Sequence, residues 1–136
     1  MRYLAIDYGE KRTGLAICDA GELIASPLIV LTGQKTLIPQ ILEVIERENI
    51  EAIVMGLPLN MDDTEGPQVK LVQQFTKKLK EHTDKEINFH DERLSSFDAQ
   101  GKLSGLDLTR KKKKKHLDAI AAAAILQSFL DEKRTE

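Results

Sequence analysis

Two periodicities divide this chain, and the switches between them predict its elements. Tyr3–Ile6 is a short, nearly unbroken apolar run, the pattern of a strand covered on both faces. Thr13–Cys18 predicts a second strand and Glu22–Leu31 a third, with "DAGE" at 19–22 supplying turn chemistry between them. Pro27 lacks a backbone donor, which places the third strand at a sheet edge or a bulge. Three strands joined by turns predict an antiparallel meander. A helical period then takes over: Ile38, Ile41, Leu42 and Ile45 form one apolar face, with Thr36 as candidate N-cap and Pro39 in the first turn. Ala52–Met55 predicts a fourth strand, ending at Gly56, and 56–67 a loop of turn formers. A second helix over 68–82 turns Val69, Val72, Phe75 and Leu79 inward, and Ile87–His90 is a fifth strand. After a polar stretch over 100–115, a final helix spans about 116–132. The order βββαβαβα predicts a mixed five-stranded sheet with helices on both faces, the strands after each crossover lying parallel to the first.

Composition narrows the classes. A chain of 136 residues suits one domain over 1–136. Its single cysteine, Cys18, allows no internal disulfide and points to a reducing compartment. No His/Cys spacing suits zinc, and no apolar run approaches the ~18 residues of a membrane span. "MRYLAID" reads as strand from its start, without the regions of a signal peptide, so the cytoplasm is expected. The net charge of −2 is uninformative, but its distribution is not. Arg110, Lys111, Lys112, Lys113, Lys114 and Lys115 form an uninterrupted basic run, the local density that phosphate contacts need. Cations at a helix N-terminus oppose the macrodipole, so an anionic ligand that neutralises them is expected. The alternative is a solvated tract.

The acids carry the candidate chemistry. Asp7 ends the first strand, Asp91 and Glu92 end the fifth, and Asp118 opens the last helix. If the first and fifth strands are parallel, their terminal acids emerge at one sheet edge, where sites form in open α/β sheets. Asp118 precedes Ala122, Ile125 and Phe129 at helical spacing, so it shares their apolar face and turns toward the sheet. The small side chains of "AIAAAA" permit a close approach. Carboxylates converging without a cation repel each other, and oxygen-only ligation suits Mg²⁺ or Mn²⁺. Two such ions about 3.5–4 Å apart clamp the attacking and leaving oxygens of a phosphodiester. Singly, each acid is also a common turn former or helix cap.

"GEKRTG" at 9–14 imitates the front of a P-loop, but Leu15 and Ala16 follow where Lys and Ser/Thr belong, and a strand follows where a helix belongs. A tight hairpin fits better. Gly9 would let backbone approach a phosphate beside Asp7, with Lys11 and Arg12 adding charge at the rim. Arg93, Ser95 and Ser96 are further phosphate candidates, the serines equally suited to capping a short helix. His82, His90 and His116 share no spacing and read as surface or packing residues, and Cys18 as a small buried hydrophobe.

"IDYGEKRTGLA", "MGLPLNMDDTEG", "DERLSS" and "HLDAIAAAAILQSFL" together resemble the motifs of the YqgF/RuvX family, over nearly the whole chain. The resemblance implies an RNase H-like fold, with Asp7, Glu92 and Asp118 as metal-binding catalytic acids and Asp91 in reserve. It implies a phosphodiesterase using Mg²⁺ or Mn²⁺, with two ions expected, on structured nucleic acid: pre-16S rRNA at its 5′ end, or branched DNA as a Holliday-junction resolvase. Ribosomal particles are an implied partner of the first. A homodimer is expected of the second, since a symmetric junction needs two cuts. Asp63 stands where the family has glycine, and Ser96 where it has threonine; neither touches the three acids. "DYGEKRTG" also fits the phosphate turn of actin-like and sugar kinases, which need two such lobes around a nucleotide. A nucleic-acid-binding module with structural acids is the non-enzymatic alternative.

Overall fold

The computed structural model describes residues 1–60, 62, 64–95 and 110–135, with the side chains of the last helix from residue 117 onward. The elements are β1 (Tyr3–Asp7), β2 (Arg12–Cys18), β3 (Ala25–Thr32), α1 (Leu37–Arg47), β4 (Ala52–Leu57), α2 (Pro67–Lys80), β5 (Glu86–Asp91), a 3₁₀ turn (Glu92–Leu94) and α3 (Arg110–Thr135). They form one five-stranded sheet in the order β3-β2-β1-β4-β5. The β1–β2 and β2–β3 pairs are antiparallel, and β1–β4 and β4–β5 are parallel. The meander and the parallel crossovers are those the sequence pattern predicts.

Side-chain alternation along the central strands divides the interior in two. Leu4 and Ile6 of β1, with Ile53 and Met55 of β4, face α1 and α2. Tyr3 and Ala5, with Ala52 and Val54, face α3. The α3 side of the sheet includes three alanines, Ala5, Ala16 and Ala52, and meets Ala122, Ile125, Leu126 and Leu130. Small residues on both surfaces let the helix lie close on the sheet. Val69, Val72, Phe75 and Leu79 of α2 are all buried as expected, as are Ile41 and Ile45 of α1; Ile38 and Leu42 pack at its margin.

Two element starts differ by three residues or more from the sequence expectation. Strand β3 starts at Ala25, not Glu22, because the Asp19 carboxylate accepts the N–H groups of Gly21, Leu23 and Ile24, and Glu22 takes a left-handed φ of 59°. Those donors serve a turn and are withdrawn from the ladder. Pro27 lies on the edge strand beside an irregularity, where Leu15 pairs with Ile29 and Ala16 with Pro27, leaving Leu28 between them. The last helix begins at Arg110, about six residues before the expected start, so the basic run lies within it rather than ahead of it. Lys and Arg are good helix formers, so the basic run continues the helix toward its N-terminus. Thr36 occupies the N-cap position of α1 without a side-chain cap bond.

Candidate active site

Strands β1, β4 and β5 run parallel, so their carboxyl ends share one edge of the sheet. Asp7 closes β1 there and continues the Tyr3–Ala5 side, the side that α3 covers. Glu92 opens the 3₁₀ turn directly after β5, and its Cγ lies 3.1 Å from where a Cβ on Gly56 would stand. It therefore folds over the end of β4 toward β1. Asp118, at the head of the described side chains of α3, lies beside β2: its carbonyl oxygen stands 2.0 Å from the Cβ position of Gly14, which pairs with Asp7.

The three acids sense each other. Asp7 has its pKa pushed up from an ordinary 3.8 to about 9. Burial is the first cause, followed by a hydrogen bond with Glu92 and repulsion by Glu92 and Asp118. At neutral pH Asp7 thus holds a proton and hydrogen-bonds Glu92. Asp118 meets a guanidinium: its Oδ2 accepts from Nε of Arg12 at 2.7 Å. Among the described residues, no three of His, Cys, Asp and Glu form a ready-made metal cluster. The donor chemistry nevertheless suits a hard divalent ion: three carboxyl groups, whose mutual repulsion when ionised a bound cation would relieve.

Other candidates are placed differently. Asp91 is committed to Arg93, whose Nη2 donates to Oδ2 at 2.7 Å, while the Arg93 backbone N–H donates to Oδ1 at 2.9 Å. Those bonds hold the Asp91 pKa below its ordinary value. Arg93 also donates to the carbonyl of Asn60 at 2.8 Å, tying the β4–α2 loop to the 3₁₀ turn. Ser95 is the C-cap residue of that turn. Gly9 is dictated by its own hairpin, since an added Cβ would stand 2.3 Å from the carbonyl oxygen of Arg12. Lys11 is exposed at the tip. Ser96, Asp63 and the side chains of Arg110, Lys111, Lys112, Lys113, Lys114, Lys115 and His116 lie outside the described residues. His90 is buried and packs edge-on against Phe129, with Nε2 2.9 Å from Ser128 Oγ. Cys18 is buried, and its Sγ accepts the Tyr3 N–H at 3.3 Å. The Arg12–Asp118 pair has no signal in the sequence, because its members are 106 residues apart.

A mixed sheet in this order, with acids at the ends of two parallel strands and on the helix crossing them, defines an RNase H-like fold. The chain belongs to the RuvX family, described as Holliday junction resolvase, whose profile matches residues 1–132. It is similar to a protein of Roseiflexus sp. (strain RS-1) named "Putative pre-16S rRNA nuclease", 38% identical over 98% of this chain and 96% of that one. A protein of the same name from Syntrophomonas wolfei is 41% identical over 96% of this chain and 94% of its own length. In fold it is similar to T. thermophilus RuvC in complex with Holliday junction substrate, with a TM-score of 0.62, 14% identity, and 98% and 96% of the two chains covered. The Fowlpox virus resolvase in complex with junction DNA gives a TM-score of 0.57 at 14% identity, over 98% and 99%. Membership makes the chain a hydrolase of the nuclease class and implies a metal-dependent mechanism. No helix among the described residues is long and apolar enough to cross a membrane.

Proposed function

We propose that this protein is an endonuclease that hydrolyses phosphodiester bonds in the 5′-end processing of pre-16S rRNA, using Mg²⁺ or Mn²⁺ held by Asp7, Glu92 and Asp118. The observation that carries the reading is Asp7: a carboxyl at the end of the central parallel strand, held neutral first by burial and then by its two neighbouring acids, Glu92 and Asp118. A group so destabilised in its charged form is a common mark of a functional site. Bound divalent ions supply the charge that turns this repulsion into ligation, activate water and stabilise the leaving oxygen. The protein's own residues do the rest. Asp7 would hold the ion in its ionised form, its proton passing to solvent, with Glu92 brought over β4 by the 3₁₀ turn and Asp118 presented by a helix packed tightly on the sheet. Lys11, at the hairpin tip, and the basic run opening α3 hold the phosphate backbone, so substrate binding weakens as salt rises.

Ribosomal RNA is favoured over branched DNA because the relatives at 38% and 41% identity bear the rRNA name, whereas the likeness to the resolvases at 14% speaks for the fold alone. The family's own description keeps branched DNA as the second reading. The test offers a pre-16S leader RNA and a four-way DNA junction side by side, with Mg²⁺ and with EDTA. Cleavage of the RNA that needs metal and is lost in Glu92→Gln is expected. Cleavage of the junction alone would transfer the function to DNA, and cleavage that persists in EDTA would remove the metal mechanism.

Arg12 forms an ion pair with Asp118. The pair is partly exposed and screened, so Arg12→Ala should cost the fold no more than about 1 kcal/mol. The same substitution removes a competing cation, so calorimetric Mn²⁺ titration without nucleic acid should show tighter binding than wild type. Unchanged affinity would show that the pair does not compete with the ion.

A further inference from the structure

Helix α2 carries four lysines and no acid over its 14 residues, in a chain whose net charge is −2. Its inward face is spent on the core through Val69, Val72, Phe75 and Leu79. Lys70, Gln73, Gln74, Lys77 and Lys80 are exposed and line a shallow groove of about 450 Å³ between the helix and strand β5. Phe89 of β5 forms part of the groove lining and is 42% exposed. No carboxylate lines the groove, and none of its three lysines makes an ion pair among the described residues. Strand β5 is the edge of the sheet, so the groove is open along one side.

This combination is unusual for a surface with only a structural role. Exposed lysines are ordinarily interspersed with acids, and an aromatic ring on an edge strand is ordinarily covered. Ammonium groups in a row, amide side chains between them and an aromatic ring among them make a surface that suits single-stranded nucleic acid: charge for the phosphates, hydrogen-bonding groups for sugar and base edges, and a ring on which a base stacks. Lys70 and Lys80 are ten residues apart, about 15 Å along a helix. The direction is also informative. Helix α2 returns from the carboxyl end of β4 to the amino end of β5, so Lys70 lies toward the edge that bears Glu92 and Lys80 lies away from it.

The geometry points to a second nucleic-acid site: the α2–β5 groove binds a single-stranded RNA segment that leads away from the carboxylate centre, with Lys70, Lys77 and Lys80 on its phosphates and Phe89 under a base. This rests on the nuclease reading only for the ligand being RNA; the groove itself stands on its own residues. It lies on the sheet face opposite the packed part of α3, Ala122–Leu130.

The test is binding of a short unstructured RNA to the full chain in EDTA, followed by fluorescence anisotropy over a range of KCl. Each phosphate contact on a single strand contributes about 0.7 to the slope of log affinity against log salt, so the triple variant Lys70→Gln/Lys77→Gln/Lys80→Gln should flatten that slope by about 2. Phe89→Leu keeps an apolar side chain but removes the ring face, and should weaken binding about tenfold with the slope unchanged. The lysines are exposed, so the triple variant tests the idea even if Phe89→Leu perturbs the strand. An unchanged slope in the triple variant overturns the proposal. An equal loss on duplex RNA of the same length overturns the single-strand assignment. Metal-dependent cleavage that survives with unchanged binding sinks the groove alone. Groove-dependent binding without any cleavage sinks the nuclease reading alone.

Discussion

Asp7→Asn is expected to abolish cleavage and, in the same protein without metal, to raise stability. The two effects have one origin. In the proposed mechanism Asp7 is a metal ligand; asparagine cannot carry its negative charge, and losing a ligand worth about 4 kcal/mol in the transition state would lower the rate on the order of a thousandfold. The stability effect runs through the proton. The Asp7 pKa lies at about 9 in the folded chain against an ordinary 3.8, so between those values the folded form holds a proton that the unfolded form has lost. Stability from a raised pKa is complete below the unfolded value and is lost as pH rises through the folded one, at about 1.4 kcal/mol per pH unit. His90 acts in the opposite sense: burial lowers its pKa, so it costs stability as pH falls below its ordinary 6.5. A comparison between about pH 7 and pH 8 avoids that contribution. Across this window the metal-free wild type should lose about 4 °C in Tm, and Asp7→Asn should lose much less. Mg²⁺ should stabilise the wild type more at the higher pH, because binding expels the proton, and should leave the variant unmoved. A wild-type Tm that stays flat from pH 7 to pH 8 would mean that Asp7 is already ionised without metal.

The second large effect is expected at Gly14. The carbonyl oxygen of Asp118 lies 2.0 Å from the place a Cβ would take, its carbonyl carbon 2.4 Å and the Ala119 nitrogen 3.0 Å. All three are backbone atoms, so no side chain can rotate aside; either α3 lifts from the sheet or β2 bends. Overpacking of a close-packed interior costs about 1–3 kcal/mol where side chains absorb it, and a backbone contact belongs at or above the upper end. Gly14→Ala should therefore cost about 3 kcal/mol in denaturant unfolding, and Asp118 should shift with the helix, weakening Mn²⁺ binding as well. A change below about 0.5 kcal/mol, the range of neutral surface substitutions, would show that the approach of α3 to β2 is not so tight. Gly14 thus has a different role from a phosphate-cradling glycine: it sets the distance at which the last helix presents its acid.

What the linear pattern determines here is what depends on near neighbours. A short unbroken apolar run bounded by turn formers reads as a strand covered on both faces, and it yields β1 and β4. Spacing of three and four residues yields the inward faces of α1 and α2. Placing Asp7 and Glu92 at one sheet edge follows from counting crossovers, and placing Asp118 on the buried face follows from its spacing to Ala122 and Ile125. The failures are of a different kind. Asp19 withdraws three backbone donors from the ladder and delays β3, a competition between a side chain and a strand that periodicity does not register. Asp91 resembles a strand-end ligand in the sequence, yet its carboxylate is committed to Arg93 by rotamer and turn geometry. Tertiary structure alone decides that Arg12 meets Asp118, that Gly14 is the contact point for α3, and that the lysines of α2 line up beside Phe89. These depend on distances between segments far apart in the chain, set by how helices pack on the sheet, and no local preference encodes a distance.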